Sequence, residues 1–118
     1  MKKIIIIDDD PAILDSARLI FKESDYLIML YSTGSFILND KFEIPDIFII
    51  DKHLPGVDGL DICRHLKSQG RTKNIPVIIM SASPETAKLV SSAGANGFLE
   101  KPYAMKDMRD MVSKYLNK

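Results

Sequence analysis

The sequence predicts an α/β fold, a doubly wound parallel sheet of five strands with helices on both faces. Three observations lead there. Short apolar runs rich in β-branched or aromatic residues alternate with helix-period segments along the whole chain. The runs are apolar at consecutive positions, as in strands buried on both faces. Cap and turn residues separate one element from the next.

The first strand is Ile4–Ile7, which runs straight into Asp8, Asp9 and Asp10. Asp10-Pro11 supplies an N-cap acceptor before a proline at the first helical position. Ile13, Ala17, Ile20 and Phe21 then mark one helix face. Tyr26–Tyr31 and Ile47–Ile50 are the second and third strands. The turn-rich segment LPGVDG (Leu54–Gly59) follows, with Asp58 placed to cap the third helix. Val77–Met80 is the fourth strand, and Ser83-Pro84 repeats the cap-and-proline device. Gly94 suits a left-handed stop after Ala93. Gly97–Leu99 is a weaker fifth strand, and Met105, Met108, Val112, Tyr115 and Leu116 form the stripe of a last helix. Five strands alternating with five helices imply right-handed βαβ units. The chain holds no repeat, low-complexity stretch or linker, so residues 1–118 are expected to form one domain.

Composition narrows the function. With 118 residues, 46% of them hydrophobic, the chain has enough apolar material for one core. Lys and Arg total 16, as do Asp and Glu, so no basic excess points to direct nucleic-acid binding. A single cysteine, Cys63, excludes an internal disulfide, fits a reducing compartment and is expected in the core. MKKIIII is too short for a secretion signal's apolar segment, and no window is long enough to span a membrane. A soluble, cytoplasmic protein is expected. The series Met105, Met108 and Met111 is expected to pack in the core, with Met111 edging a partner-binding surface, and His65 to lie at or near the surface of the third helix.

In open parallel sheets, functional groups gather at the carboxyl ends of the strands. There the fold brings together Asp8 and Asp9, Asp51, Ser81 and Lys101, all far apart in sequence. Asp10 is accounted for as a cap. One helix needs only one cap, so Asp8 and Asp9 remain to be explained. Clustered carboxylates raise one another's pKa unless a cation neutralises them. Hard oxygen ligands without cysteine or a histidine pair favour Mg²⁺, with Mn²⁺ as the alternative. A lysine and a hydroxyl beside the metal suit the remaining oxygens of a phosphoryl group. These parts describe a site where an aspartate accepts a phosphoryl group.

Four stretches, IIIIDDDPAIL, PDIFIIDKHLPGVDGLDIC, PVIIMSA and GANGFLEKPY, together resemble the response regulator receiver domain of two-component signalling over essentially the whole chain. The resemblance implies a (βα)5 flavodoxin-like fold of strand order 2-1-3-4-5. It implies that Asp51 is the phosphoacceptor, charged from the phosphohistidine of a sensor histidine kinase or phosphotransfer protein. Asp8 and Asp9 become the acidic pair of a Mg²⁺ site, with Asp9, Asp51 and the backbone carbonyl of His53 as direct ligands. Ser81 is then the switch hydroxyl on the phosphoryl group, Lys101 its salt-bridge partner and Phe98 the aromatic residue that moves with Ser81. Lys101-Pro102 matches a step that is typically cis in the family.

Activation would alter the face formed by the fourth helix, fifth strand and fifth helix, either to regulate a partner or attached output domain or to form a phosphorylation-dependent homodimer. Such a switch catalyses only its own phosphorylation and dephosphorylation and has no turnover substrate. Ending after the fifth helix, the chain is expected to be a stand-alone regulator or one module of a longer protein.

Several residues depart from the family pattern. Ser81 and Phe98 stand where threonine and tyrosine are common. Lys52 replaces an apolar residue after the acceptor, and strand alternation directs it away from Asp51. From Ser81 to Gly94 the chain is about two residues short, which predicts a short or irregular fourth helix. His53 and Ser83 border the path of attacking water and are expected to influence phosphate lifetime. A haloacid-dehalogenase-type phosphatase using Asp8 and Asp10 shares some chemistry, but it leaves Asp51 and LPGVDG unexplained. A flavodoxin-like electron carrier requires a Ser-, Thr- and Gly-rich loop after the first strand, where this chain is acidic.

Overall fold

A computed structural model describes residues 1–116. β1 (Lys3–Ile7) is central, with β2 (Leu27–Tyr31) on one side and β3 (Ile47–Asp51) on the other. β6 (Val77–Ser81) and β7 (Gly97–Glu100) complete the five-stranded sheet in the order β2-β1-β3-β6-β7. Every pairing in it is parallel, and Ile4 lies in register with Ile28 on one side and Ile47 on the other. Counting only these five strands, this is the expected order 2-1-3-4-5. The order in which the chain lays down its strands reverses between β1 and β3, which puts the switch point beside Asp8 and Asp51.

The consecutive isoleucines divide by strand alternation. Ile5, Ile7, Phe48, Ile50 and Ile79 pack with Ile37 of α2 (Ser35–Leu38) and with Ile62, Cys63 and Leu66 of α3 (Gly59–Ser68). Ile4, Ile6, Ile47, Ile49, Ile78 and Met80 pack on the opposite face with Ala17, Ile20 and Phe21, and with Met108 and Val112 of α4 (Met105–Leu116). Both faces are therefore dry, and each buried isoleucine contributes about 1.5–3 kcal/mol of transfer free energy. Cys63 is buried as expected, and burial pushes its thiol pKa up.

Caps behave largely as the sequence requires. Asp10 accepts the Ala12 N–H at 2.9 Å and Pro11 opens α1 (Pro11–Ile20). Asp58 likewise accepts the Leu60 N–H at 2.8 Å to start α3. Gly94 takes the left-handed conformation at φ +86°. LPGVDG folds into a small antiparallel hairpin, β4 (His53–Leu54) with β5 (Val57–Asp58).

The fourth helix is short and irregular, as expected, and two other local expectations change. In place of the fourth helix stand two 3₁₀ helices, Pro84–Lys88 and Ser91–Ala93. Their bonds run from Thr86 N–H to the Ser83 carbonyl and from Leu89 N–H to the Thr86 carbonyl. A 3₁₀ turn rises about 2.0 Å per residue against 1.5 Å in an α-helix, so a shortened segment still crosses the sheet. Ser83 makes no side-chain cap to this turn. Met105 is 43% exposed: at the first position of α4 it stands off the face that buries Met108 and Val112.

Candidate functional site

The site lies at the carboxyl ends of β1, β3, β6 and β7. Asp8 follows β1 and has no exposed surface. Its backbone N–H donates to the Tyr31 carbonyl at 3.0 Å, which ties the strand end to β2. One carboxylate oxygen accepts the Asp10 N–H at 2.9 Å, and the other accepts the Lys101 ammonium at 2.6 Å. Asp51 ends β3 and is 5% exposed, and its Oδ1 lies 3.2 Å from the same ammonium. Lys101 therefore bridges two nearly buried carboxylates. Asp9 is exposed beside them, and carboxylate oxygens of Asp8, Asp9 and Asp51 lie within 4.8 Å of one another.

Three carboxylates face one ammonium, leaving a surplus of negative charge. Burial raises the Asp8 pKa, and it prevails over the Lys101 hydrogen bond and the Asp10 N–H, which favour the charged form; the charge of Asp51 pushes the same way as burial. Burial disfavours charge on Lys101 too, but the hydrogen bond and charge of Asp8, reinforced by Asp51, outweigh it and raise the ammonium's pKa. Lys101 therefore stays protonated. A hard divalent cation fits the surplus, since all three acidic donors are oxygens and Asp9 is open to solvent.

Ser81 ends β6 with no exposed surface. Its Oγ accepts the Ser83 N–H and the Thr86 hydroxyl, each at 3.0 Å. The Lys101 N–H donates to the Ser81 carbonyl at 2.9 Å, joining the end of β6 to the segment after β7. Phe98 is half-buried on β7 in register with Ile79. The Lys101-Pro102 peptide is cis. His53 opens the small hairpin with an exposed ring.

Lys52 turns away from Asp51, as alternation requires, and its ammonium lies 2.9 Å from Asp58. Burial acts to raise the Asp58 pKa, but the Lys52 and Leu60 hydrogen bonds outweigh it and hold this carboxyl below its ordinary value. Gly59 must be glycine: a Cβ there would lie 2.2 Å from the Asp51 carbonyl oxygen. Helix α3 thus starts directly against the Asp51 backbone.

Sequence reading missed Thr86 and Tyr103. Thr86 carries no sequence signal, because its hydroxyl meets Ser81 through the path of the turn between them. The Tyr103 hydroxyl is buried without a hydrogen-bond partner, and burial raises its pKa against the opposing charge of Lys101. An aromatic residue just after Lys-Pro was its one sequence signal.

A sequence profile described as the response regulator receiver domain matches residues 4–113. Response regulator MprA of Mycobacterium ulcerans (strain Agy99) is 30% identical over 112 residues, covering 90% of this chain and 46% of MprA. The chain thus spans less than half the length of that relative. Among solved structures, a putative response regulator from Chloroflexus aurantiacus J-10-fl superposes with TM-score 0.90 at 25% identity, covering 99% of this chain and 98% of the other. The BeF3-activated receiver domain of DrrB, a Thermotoga maritima protein, gives 0.88 at 27% identity over 100% and 99% of the two chains.

Proposed function

The chain belongs to the response regulator receiver domain family, and on that premise we propose that it is a phosphorylation-controlled switch with Asp51 as phosphoacceptor. The observation that carries this reading is the meeting of Asp8, Asp9 and Asp51 oxygens within 4.8 Å, with the Lys101 ammonium 3.2 Å from Asp51. The donor is the phosphohistidine of a sensor histidine kinase or phosphotransfer protein. A carboxylate oxygen of Asp51 attacks phosphorus in line, the P–N bond breaks, and the imidazole leaves with the electron pair. An acyl phosphate remains on Asp51.

Lys101 balances the charge of the phosphoryl oxygens, and Ser81 donates a hydrogen bond to one of them. Asp8 anchors Lys101. Asp9, Asp51 and the His53 carbonyl would hold Mg²⁺, with Asp8 completing the acidic pair; Mn²⁺ would serve as a substitute. When bound, the cation neutralises negative charge gathered around the transferring group. Ser81 and Phe98 carry the change to the surface formed by the 3₁₀ segments, β7 and α4, where a partner, an attached output domain or a second copy reads it. The domain turns over no separate substrate and works in the cytoplasm. Among the described residues no helix is long and apolar enough to cross a membrane.

Acid-quenched labelling with a small radioactive phosphodonor in Mg²⁺ tests the assignment. Asp51→Asn should abolish acid-stable label. Label lost in Asp8→Asn but retained in Asp51→Asn would overturn it.

A further inference from the structure

Thr86 is a polar residue buried where its neighbours are not. It is 2% exposed, whereas Glu85, Ala87 and Lys88 of the same 3₁₀ turn are exposed. The turn begins at Pro84, and the Thr86 N–H closes it onto the Ser83 carbonyl at 3.1 Å. This fixes the backbone so that the Thr86 side chain points down onto the end of β6. There its hydroxyl donates to Ser81 Oγ at 3.0 Å.

A hydroxyl has one proton to give and two lone pairs to receive with. Both receiving positions of Ser81 are filled, by the Ser83 amide and by Thr86, each at 3.0 Å. Its own proton is the only bonding capacity left. An incoming hydrogen bond also polarises the hydroxyl that accepts it and strengthens the bond it donates onward. Phosphoryl oxygens accept and do not donate, so a hydroxyl confined to donating matches them. A free serine rotor would first have to be ordered, at a cost in rotamer entropy.

We infer that Thr86 is a positioning residue for phosphoryl acceptance: through its hydrogen bond to Ser81 it holds the switch hydroxyl as a donor for the phosphoryl group on Asp51. This rests on the phosphoacceptor reading and adds a residue to it. It also gives the 3₁₀ segment a task, since Thr86 reaches Ser81 from within it.

The test is calorimetric titration of the 118-residue chain with beryllofluoride, a phosphoryl mimic, in saturating Mg²⁺, alongside titration with Mg²⁺ alone. Loss of one net hydrogen bond predicts that Thr86→Val binds beryllofluoride on the order of 5-fold more weakly. Affinity for Mg²⁺ alone should not change, which a general loosening of the site would not allow. Thr86→Ser should restore wild-type binding. In a Ser81→Ala background, Thr86→Val should add nothing, because the two residues act as one unit.

Equal or tighter beryllofluoride binding by Thr86→Val overturns the inference, as does the same 5-fold loss in the Ser81→Ala background. If Thr86→Val does not fold, Thr86→Ala is read against Thr86→Ser by the same contrasts. Wild-type beryllofluoride binding by Asp51→Asn would instead refute the phosphoacceptor reading, a separate outcome.

Discussion

Replacing Asp8 by asparagine should make the metal-free protein more stable and the Mg²⁺-loaded protein less so. Asp8 is wholly buried, and its charged form suffers from desolvation and from the nearby Asp51 carboxylate. Removing one partner of a buried ion pair usually destabilises by about 3–5 kcal/mol, because the other charge is stranded. That does not apply here: Lys101 keeps Asp51 at 3.2 Å. Asparagine also retains an acceptor oxygen for the Asp10 N–H; its new amide NH2 faces the ammonium, which turns toward Asp51 and gives back part of the gain.

Relief of the desolvation of a buried carboxylate, with the Asp51 charge as the lesser part, should then prevail, worth on the order of 1 kcal/mol, or about 4 °C in Tm for a domain of this size. Mg²⁺ reverses the order. A ligand at 100 times its Kd stabilises by about 2.7 kcal/mol, and the variant forgoes most of that. The assay is thermal unfolding by circular dichroism at pH 7, in EDTA and in excess Mg²⁺. The pH dependence fixes the cause. Because the folded pKa of Asp8 is raised, the wild-type penalty is present above that value and disappears as pH falls toward 3.8. The gap between variant and wild type in EDTA should therefore narrow on acidification. A variant less stable than wild type in EDTA at pH 7, or a gap that widens toward acid, would refute the electrostatic account.

Two more expectations concern the loop after Asp51. Gly59→Ala would set a Cβ 2.2 Å from the Asp51 carbonyl oxygen and 2.9 Å from Lys52 Cα, both fixed backbone atoms. Urea denaturation should show a loss of about 3 kcal/mol or more. Gly34→Ala, whose Cβ meets the movable Cδ1 of Ile62 at 2.4 Å, should lose clearly less, and equal losses would contradict the geometry. Lys52→Met should cost below about 1 kcal/mol, since Asp58 is partly exposed. The Asp58 carboxyl, held low when folded, contributes stability above pH 3.8 that is lost as pH falls through its folded value. In Lys52→Met, NMR titration should find that value moved up, with Asp51 labelling unchanged; a several-fold fall in labelling would put Lys52 in the site.

Most of the site was legible because it is written in residue types at strand ends. Asp8, Asp9, Asp51, Ser81 and Lys101 each follow or end an apolar run, so the sheet alone brings them together. Asp10 and Asp58 were legible as caps because capping is decided within three residues. What escaped depended on the path of the backbone between elements. The shortened stretch after Ser81 signalled irregularity but not which helix type would form, so the burial of Thr86 could not be foreseen. Ser83 was read as a cap from its proline neighbour, yet its side chain makes no cap hydrogen bond. Met105 fits an apolar stripe by spacing alone, but spacing does not say where a helix first meets the sheet.

The 3₁₀ segments have one consequence for recognition. At three residues per turn, side chains three apart eclipse one another and stack in straight columns, whereas on an α-helix the rows wind around the axis. Lys88 stands above Glu85 in such a column, 3.6 Å apart, and exposed Leu89 lies on the next. A protein whose grooves match the oblique ridges of an α-helix meets the wrong lattice on this side of the domain. The 3₁₀ pitch thus sets this surface apart, while Asp8, Asp9 and Asp51 stay where the strand ends place them.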